Sequence, residues 1–572
     1  MGVRTYEQDA KTLELPWPFT GREDELELVR GAMAAGRRGI VVTGPAGRGK
    51  TRLITEAIRG TDHVRVTGTP EARHLPLAAF AHLPAVTGSL PGAVRALSGV
   101  RLLVVDDAHL LDEDSAALVH QLAAGGRTRL IVAACDEASA PGAVSRLWTG
   151  ELLPRLALAP LPEEDTAALL GAAGFEALTV RRLHRLCRGD LRLLRSLVAA
   201  LVAGEDLVAV PGTGERAWRG PLPVTPAVRD RLAPVLERAA PGEREILERL
   251  AFAEPARPPL YDLDLDVLEG LEAAGLIAVD DAGGVALADP LHGPALRAVT
   301  GRLRARRLSR AGADRGAALA AEQRLLEGRL DQLDVRPVAT PVGDWAVAEG
   351  EPVPAGYVAV RARFARLGGA VRDAVAWARE GLRWAPGDAG CAAELALAQA
   401  ESDESGQGSA EGDVYARYGA VRAGQPARAL PAGSVLAQHA EALARRDGDA
   451  LDRAATALAE RGFLLFAAEA HAQAVRVHRD PRAGRRSRTR ALALARRCQG
   501  ARTPALAGLV LGELTARQRQ IVALAAAGLS NKEIAERLTL SVRTVGNHLY
   551  SAYTRLGMGD RGALPCLLDR SA

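Results

Sequence analysis

Residues 39–59 read GIVVTGPAGRGKTRLITEAIR, and this stretch decides the fold class of the first third of the chain. A short apolar run rich in β-branched residues passes into a glycine-rich turn, and a helix-forming run follows. The turn at residues 44–51 fits the pattern GxxxxGK[ST] of a phosphate-binding loop, in the strand–turn–helix context that this loop requires. Its glycines let backbone N–H groups point inward at phosphate oxygens, and the helix N-terminus adds a partial positive charge.

The loop predicts that the chain binds a nucleotide together with Mg²⁺. Lys50 is expected to reach the β- and γ-phosphates, and Thr51 is expected to bind the metal ion. Only three lysines occur in the chain, yet one of them stands where the motif requires it, so a chance glycine-rich turn is the weaker interpretation. The nucleotide-binding residues predicted in the loop are Gly44, Pro45, Ala46, Gly47, Arg48, Gly49, Lys50 and Thr51.

Two carboxylates, Asp106 and Asp107, follow a second apolar run at residues 101–105. Asp106 is expected to hold Mg²⁺ through water, and Asp107 is the candidate catalytic residue that would orient or deprotonate an attacking water. The alternative is a pair of carboxylates that only cap the following helix. A third apolar run, residues 129–133, leads to Cys135, at a place where a polar residue that senses the γ-phosphate is expected.

Apolar runs and helix-forming segments alternate across residues 16–205. Such alternation is typical of an α/β domain with a parallel sheet, and together with the loop it predicts a P-loop NTPase domain. Between the apolar runs, residues 51–59 and 114–124 are predicted to be helical. Residues 206–222 are rich in glycine and proline, which indicates a linker.

The middle of the chain is predicted to be helical. Residues 223–300 suit a small domain of helices with a short hairpin that follows Gly283 and Gly284. Residues 301–505 are dominated by Ala, Arg and Leu at helical spacing, with stops at intervals of about 35 residues, a pattern typical of TPR-like stacked helical pairs. The polar stretch at residues 401–412 is expected to be a surface loop.

Residues 511–572 are predicted to form a compact, all-α unit with a helix-turn-helix. Its second helix is expected at residues 531–538 and its third, capped by Ser541, at residues 542–556. Two capping boxes begin the first and second helices, namely Thr515 with Gln518 and Ser530 with Glu533. The apolar residues expected where the second and third helices cross are Ile534, Ala535, Leu538, Val545 and Leu549.

Three short segments resemble the signal-transducing STAND ATPases and the large ATP-binding regulators of the LuxR family: TGREDEL (20–26), RHLPLAAF (73–80) and VVDDAH (104–109). The resemblance implies a switch in which ATP or ADP sets a closed or an open arrangement, with slow or absent turnover. It also implies that Arg22 lines the adenine side of the pocket, the alternative being a surface residue at a helix start. The departure at Cys135 argues against efficient hydrolysis.

In the related ATPases a winged-helix domain carries an HPL motif, and residues 285–292 of this chain fall at the corresponding place. The resemblance therefore implies that residues 223–300 form a winged-helix-like domain. Asp289 stands where that motif has its histidine. His292 is either a phosphate sensor or an ordinary core or surface histidine, and the second interpretation is favoured.

Residues 514–556 closely resemble the LuxR-type helix-turn-helix, whose pattern includes GLSNKEIA and, further on, TVxxHL. The resemblance implies that the second helix contacts phosphates and that the third enters the groove of double-stranded DNA. Most members carry Lys or Arg where Gly546 stands, so affinity for a single half-site is expected to be modest. A helix-turn-helix used only for protein contacts is the alternative. The residues implied in DNA contact are Asn531, Lys532, Ser541, Val542, Arg543, Thr544, Gly546, Asn547 and Tyr550.

The 572-residue chain carries 73 basic and 69 acidic residues, a net charge of +4 that is too mild by itself to indicate nucleic-acid binding. Residues 476–502 nevertheless hold ten arginines and one aspartate, which indicates either contacts to flanking phosphates or, as the favoured interpretation, a solvated helix face. Five scattered cysteines without a CxxC pair favour a reducing cytoplasm. Neither a membrane span nor a secretion signal is expected, since the sequence has no long apolar run and no apolar N-terminal segment.

Together these features predict a cytoplasmic, ATP-binding transcriptional regulator that is nucleoid-associated when bound to DNA. Its nucleotide state is expected to control dimerisation or promoter binding by the C-terminal helix-turn-helix. The expected partners are promoter DNA, a second copy of the chain on that DNA, RNA polymerase and an unidentified effector at the helical repeats. Two alternatives stay open, a remodelling NTPase enzyme and a nucleotide-stabilised scaffold that recruits a protein partner. Turnover of ATP is expected to be slow at most.

Overall fold

The computed structural model of the chain divides into two compact units, Met1–Ala311 and Gly312–Ala572, each built around its own apolar clusters. None of the described helices is long and apolar enough to cross a lipid bilayer. The residues that the structure describes are 17, 19–34, 36–83, 86, 89–136, 140–171, 173–204, 206–253, 264–279, 283–311, 315–403, 414–427, 430–510, 520–522, 524–525, 529–538, 542, 545–546 and 548–550.

A five-stranded parallel sheet organises the first part of Met1–Ala311. Its strands are β1 (Gly39–Thr43), β2 (Val64–Thr67), β3 (Leu102–Asp106), β4 (Arg129–Ala134) and β5 (Arg155–Ala157). Their spatial order is β2-β3-β4-β1-β5, and every neighbouring pair is parallel. The strand before the phosphate loop and the strand that ends in the acid pair are thus separated by β4, and the carboxyl ends of all three meet at one edge. The predicted parallel α/β fold is confirmed.

Helices cover both faces of this sheet, namely α1 (Glu23–Ala32), α2 (Lys50–Ala57), α3 (Leu90–Leu97), α4 (Glu113–Gly125) and α5 (Gly142–Thr149). Successive side chains of a strand point to opposite faces. Val41 therefore packs with α3, α4 and α5 on one face, whereas Ile40 and Val42 pack with α1 and α2 on the other. Because the strands are buried on both faces, their sequences are apolar without interruption.

Residues 206–222 form a hairpin rather than a linker, which corrects that interpretation. The segment follows three helices, α6 (Glu163–Gly171), α7 (Ala177–Cys187) and α8 (Leu191–Ala203), and it consists of the antiparallel strands β6 (Leu207–Ala209) and β7 (Arg216–Trp218). Trp218 is completely buried, and its backbone N–H donates to Thr179 Oγ1 at 2.8 Å. The guanidinium of Arg182 lies 3.4 Å from the centre of the Trp218 ring. One large apolar side chain thus draws a glycine-rich segment into the core.

The rest of this unit is helical apart from a second hairpin. Its helices are α9 (Pro226–Arg238), α10 (Pro241–Ala253), α11 (Leu265–Ala273), α12 (His292–Val299) and α13 (Arg302–Ala311). The hairpin predicted beside Gly283 and Gly284 is confirmed as the antiparallel pair β8 (Ile277–Val279) and β9 (Val285–Leu287). Apart from α13, which packs on α10, these elements share one apolar cluster with α7 and α8. The winged-helix-like assignment of residues 223–300 stays a prediction.

Helices make up the described part of Gly312–Ala572. They are α14 (Arg315–Asp331), α15 (Pro341–Glu349), α16 (Ala355–Leu367), α17 (Val371–Trp384), α18 (Ala389–Asp403), α19 (Val414–Arg422), α20 (Val435–Arg445), α21 (Gly448–Glu460), α22 (Leu464–Val477), α23 (Pro481–Arg496) and α24 (Pro504–Val510). Consecutive helices pack on one another, including α16 on α17, α17 on α18, and α20 through α23 in sequence. The alanines of α22 are buried, and their small side chains permit this close packing. The TPR-like interpretation stays a prediction.

The expected surface loop at residues 401–412 is wrong at its beginning. Glu401 belongs to α18 and is buried. Its carboxylate accepts a hydrogen bond of 2.6 Å from the guanidinium of Arg422, which compensates for the burial of its charge. The polar composition of the segment therefore reflects a buried ion pair at this residue. Residues 404–413 lie outside the described part of the chain.

In the C-terminal region, α25 (Asn531–Leu538) begins and ends where the second helix of the helix-turn-helix was predicted. Its capping box is confirmed, since the Ser530 N–H donates to Glu533 Oε2 at 2.6 Å and the Glu533 N–H donates to Ser530 Oγ at 3.3 Å. The predicted core is confirmed as well, and it consists of Ile534, Ala535, Val545 and Leu549 with Leu538 packed against them. Thr515, Gln518 and Ser541 lie outside the described residues.

Candidate functional site

The glycine-rich loop has the backbone conformation that a phosphate cradle needs. Gly44, Gly47 and Gly49 have φ values of 148°, 78° and 86°, which side chains of L-residues rarely allow. Lys50 opens α2 directly after this loop and is 7% exposed. Its amine donates to the carbonyl oxygens of Gly44 at 2.7 Å and Pro45 at 2.8 Å. The loop carbonyls therefore hold the Lys50 amine in a fixed orientation beside the glycine-rich turn.

The charge of Lys50 is balanced by groups from several elements. Burial lowers the pKa of this amine from its ordinary value, and the positive charge of Arg192 acts in the same direction. Cys135, Asp107 and Asp136 act in the opposite direction. An anionic ligand at the loop would supply the additional negative charge that favours the protonated amine. Sequence reasoning missed Arg192, which is the second residue of α8 and far from the loop along the chain.

The two predicted metal ligands are brought together at the carboxyl edge of the sheet. The hydroxyl of Thr51 donates to Asp106 Oδ1 at 3.1 Å, and Asp106 is 4% exposed. A hydroxyl and a carboxylate are hard oxygen donors of the kind that Mg²⁺ prefers, so the pair fits that ion. Arg65 of β2 donates to Asp106 Oδ2 at 2.6 Å and neutralises the carboxylate. Sequence reasoning missed Arg65, whose only sequence signal was a charge in a short strand.

Asp107 and Cys135 lie at the same edge. Asp107 has φ 46° and begins a short 3-10 turn, and its N–H donates to Asp106 Oδ1 at 3.1 Å. Cys135 follows β4, between the strands that carry the loop and the acid pair, and its N–H donates to His109 Nδ1 at 3.3 Å. The Nδ1 atom that accepts this bond carries no proton, and burial, which lowers the pKa of His109, favours that neutral form. The position of the expected γ-phosphate sensor is thus held by a thiol, which is a weak hydrogen-bond donor.

The turn between α7 and α8 lies directly on the loop. The N–H of Leu191 donates to Gly47 O at 2.9 Å, and Arg48 donates to Arg188 O at 2.6 Å. A Cβ atom at Gly47 would lie 2.1 Å from Asp190 Oδ1, so only glycine permits this approach. The same Asp190 oxygen caps α8 by accepting the N–H groups of residues 192 and 193. The glycine-rich loop and the start of α8 therefore pack directly against each other.

Arg231 of α9 connects this turn to the second hairpin of the same unit. Its guanidinium lies 3.8 Å from Asp190 Oδ2 and 3.6 Å from Asp289 Oδ2. His292 begins α12 three residues after Asp289 and is 8% exposed, and within the described chain its Nδ1 has no hydrogen-bond partner. Burial lowers the pKa of His292, as do Arg231 and Arg188, against the effect of Asp289. This imidazole is therefore neutral at pH 7, with a nitrogen available to a ligand or a water.

Arg22, expected near adenine, ties α1 to the segment after β5. Its guanidinium donates to Ala159 O at 2.5 Å and pairs with Glu25 at 2.7 Å. The side chain is almost completely buried. These contacts explain why an arginine stands at the start of α1, and an adenine contact stays a prediction.

The C-terminal helix-turn-helix presents part of the implied DNA contacts on exposed faces. Asn531 and Lys532 stand in the first turn of α25, and Lys532 is exposed. Val542 is 50% exposed and Tyr550 is 76% exposed, with the half-buried Gly546 midway between them. These three share one helical face, and a Cβ atom at Gly546 would meet no atom within 4 Å. The remaining implied contacts, Ser541, Arg543, Thr544 and Asn547, lie outside the described residues.

Comparison with known proteins identifies this C-terminal region. Residues 512–568 match the family model of bacterial regulatory proteins of the luxR family. Proteins named as HTH-type transcriptional regulators, Mb0914c of Mycobacterium bovis and Rv0890c of Mycobacterium tuberculosis, are each 45% identical to this chain over 71 residues, 12% of this chain and 8% of theirs. YhjB of Escherichia coli is 45% identical over 62 residues, 11% of this chain and 31% of its own. The aligned part is thus a small fraction of each relative, and the chain carries a LuxR-type helix-turn-helix.

Two solved ATPase structures align with nearly half of the chain. The Holliday junction branch migration motor RuvB of Thermotoga maritima aligns over 46% of this chain and 90% of its own, with 15% identity and a TM-score of 0.26. A Walker-type ATPase of Pyrococcus abyssi aligns over 48% and 95%, with 13% identity and a TM-score of 0.30. Both TM-scores are low, so the P-loop α/β fold rests on the sheet order and the loop of this chain.

Proposed function

We propose that this chain is a transcriptional regulator in which a Mg²⁺-bound adenine nucleotide at the glycine-rich loop controls how the LuxR-type helix-turn-helix binds double-stranded DNA. The observation that carries the proposal is the combination of two sites in one chain. Lys50 and the Thr51–Asp106 pair stand beside the loop, and a capped α25 with exposed Lys532 belongs to the helix-turn-helix. A nucleotide can alter DNA binding only if its affinity differs between two arrangements of the chain.

The residues at the loop support binding of a triphosphate more directly than its hydrolysis. Lys50, together with backbone N–H groups, would hold the phosphates, and Thr51 with Asp106 would hold Mg²⁺, which would neutralise charge on the phosphates. Asp107 would orient a water. The thiol of Cys135 offers little stabilisation to a developing negative charge. We therefore expect slow turnover, as suits a switch, and this favours a regulator over a remodelling NTPase.

The contacts of Arg231 support a route from the nucleotide to the rest of its unit. A ligand that shifts the loop together with Asp190 would alter the pairing of Arg231 with Asp190 and Asp289. The second hairpin and α12 would then be released or re-seated. Such a change is a differential contact between two states, which is what allosteric coupling requires.

The test uses the full chain and two single variants, one at Lys50 beside the loop and one at Lys532 in α25, each of which serves as the control for the other. Selection from a random duplex library first gives a preferred DNA sequence, and the Kd for that duplex is then measured without nucleotide, with Mg-ATP and with Mg-ADP. Calorimetry measures nucleotide binding. Lys50→Ala is expected to lose nucleotide binding and the nucleotide-dependent change in Kd. Lys532→Ala is expected to weaken DNA binding while nucleotide binding stays at the wild-type level.

Each part of the proposal can fail separately. Absence of nucleotide binding by the wild-type chain would overturn the nucleotide site, and absence of any preferred duplex would overturn the DNA-binding role. A DNA Kd that is equal with ATP, with ADP and without nucleotide would overturn the switch while leaving both binding sites. Rapid phosphate release would instead favour the remodelling NTPase.

A further inference from the structure

The outer side of α23 is densely cationic. Six exposed arginines, five in α23 and one at its C-cap, line this side and are called the arginine face: Arg482, Arg485, Arg486, Arg490, Arg496 and Arg497. The opposite side of the helix is buried through Ala483, Ser487 and Ala491. Since residues four apart lie one above the other on a helix, Arg482, Arg486 and Arg490 form a row along its axis. A helix face that is only solvated, as the sequence interpretation favoured, does not require its arginines to align in this way.

The arginine face has almost no acidic neighbours along the chain. The one carboxylate within residues 476–502 is Asp480, and its two oxygens accept the backbone N–H groups of residues 482 and 483 at 3.0 and 3.2 Å. Within the described part of the chain, Arg482, Arg486 and Arg490 form no ion pair. The hydrogen bond from the Arg482 N–H, helped by the charges of Arg486 and Arg485, lowers the pKa of Asp480, so this one carboxylate is the nearby counter-charge along the chain. Such an excess of positive charge is suited to an anionic partner.

The composition of the face distinguishes between anionic partners. Exposed large apolar side chains are absent from residues 476–502, all of which the structure describes. Protein interfaces usually have an apolar or aromatic centre that supplies most of the binding energy. By contrast, phosphate backbones are bound by arginines and lysines without such a centre. The face therefore fits a nucleic-acid backbone better than an acidic protein.

Contacts within the described chain tie α23 to α24, the helix that precedes the family match. Arg488 of α23 donates to Leu509 O at 2.6 Å, and Arg476 donates to Ala505 O at 3.4 Å, so that α24 is held against the neighbouring helices. The family match begins at residue 512, three residues after Leu509. Three residues span at most about 10 Å, which limits the length of chain between Leu509 and the first matched residue.

We propose that the arginine face of α23 binds the backbone phosphates of the same duplex that the helix-turn-helix occupies, beside its site and without regard to base sequence. This inference rests on the proposed DNA-binding function. From Arg482 to Arg497 the helix rises by about 22 Å, a length over which a duplex carries on the order of a dozen phosphates. The added contacts compensate for Gly546, which offers no side chain on the exposed face of the helix-turn-helix.

The test is the salt dependence of DNA binding by the full chain. Anisotropy of a labelled, mixed-sequence duplex that extends beyond the helix-turn-helix site gives the Kd at salt concentrations between about 50 and 200 mM. Each lost phosphate contact lowers the slope of log K against log salt by about 0.9. The triple variant R482Q/R486Q/R490Q is therefore expected to lose about 2.7 from the slope. The triple lysine variant at the same positions is expected to keep the wild-type slope.

A matched control removes the same charge elsewhere. Arg302, Arg306 and Arg307 are exposed on α13, and their triple glutamine variant is expected to keep the slope. Circular dichroism checks that each variant keeps its helix content. An unchanged slope in the α23 triple variant, or an equal loss in the α13 variant, would overturn the inference while leaving the proposed function intact. Binding of poly-glutamate as tightly as duplex would overturn it in favour of an acidic protein, and a wild-type chain that binds no duplex would overturn both proposals.

Discussion

At the scale of single residues, the geometry of the proposed nucleotide site depends on the conformations that glycine permits. Gly47 combines a φ of 78° with a Cβ direction that points at Asp190 Oδ1. That oxygen cannot simply move aside, because it caps α8 through two backbone N–H groups. One missing side chain thus lets the loop and the start of α8 meet.

Gly47→Ala is expected to lower the affinity for Mg-ATP by at least about tenfold, or 1.4 kcal/mol. The added methyl group either displaces Asp190 and breaks the cap of α8, which costs about 1 kcal/mol, or moves the loop away from phosphate-binding geometry. Calorimetric titration with Mg-ATP measures the change.

Gly60→Ala is the matched control, since Gly60 has a φ of 77° and open space around its Cβ direction. That variant meets only the backbone cost of about 1–2 kcal/mol for a left-handed residue, so its stability falls while its nucleotide affinity stays at the wild-type level. Equal affinities in the two variants would contradict the packing argument.

At the scale of elements, the helices of the second unit are joined by polar side chains as well as by alanines. Three helices, α19, α20 and α22, meet at a completely buried imidazole. The hydroxyl of Tyr418 donates to His439 Nδ1 at 2.5 Å, and His439 Nε2 donates to Gln473 Oε1 at 2.7 Å. Gln473 in turn donates to Val421 O and Arg422 O at 2.9 and 3.0 Å. Both ring nitrogens of His439 are therefore hydrogen-bonded when the imidazole is neutral.

Because burial lowers the pKa of His439 from 6.5 to about 4, the folded chain binds fewer protons here than the unfolded chain between these values. Stability from this group is therefore complete above about pH 6.5 and is lost as the pH falls towards 4, by roughly 3 kcal/mol in total. His439→Gln keeps a donor and an acceptor but does not titrate. Urea unfolding at pH 7 and at pH 5 is expected to show a larger pH-dependent loss for the wild-type chain than for the variant. Equal losses would show that other groups carry the pH dependence.

At the scale of the whole molecule, the proposed nucleotide site and the helix-turn-helix belong to different compact units. Met1–Ala311 contains the loop, and Gly312–Ala572 contains α25 and the arginine face of α23. The proposed switch therefore requires that the nucleotide state change more than the loop itself. Arg231 is suited to begin that change, because it pairs with Asp190, which lies against Gly47, and with Asp289.

Arg231→Gln is expected to reduce the difference in DNA affinity between the ATP-bound and ADP-bound chain by at least about threefold, since coupling of this kind is typically 1–3 kcal/mol. Nucleotide affinity should change much less, because the guanidinium does not contact the loop. Duplex titrations at saturating ATP and at saturating ADP measure the ratio. Arg229→Gln, on the same helix and exposed, is the control that should leave the ratio unchanged. A ratio that Arg231→Gln leaves intact would exclude this route.

The sequence by itself determined the features that depend on short spacing along the chain. The GxxxxGK[ST] loop, the strands around it, the Ser530–Glu533 capping box and the bounds of α25 all follow from residues within one or two helical turns of each other. Local hydrogen bonds and the periods of strand and helix set these features, so their patterns survive in the linear sequence.

Tertiary structure alone decided the contacts between residues far apart. The burial of Trp218 turned an apparent linker into a hairpin, and Arg65 reached Asp106 across 41 residues. Asp190 packs against Gly47, and Arg231 pairs with both Asp190 and Asp289. Such pairs depend on how whole elements pack, because the entropic cost of closing a long loop is recovered only by the packing that surrounds the contact, and no local sequence pattern records that balance.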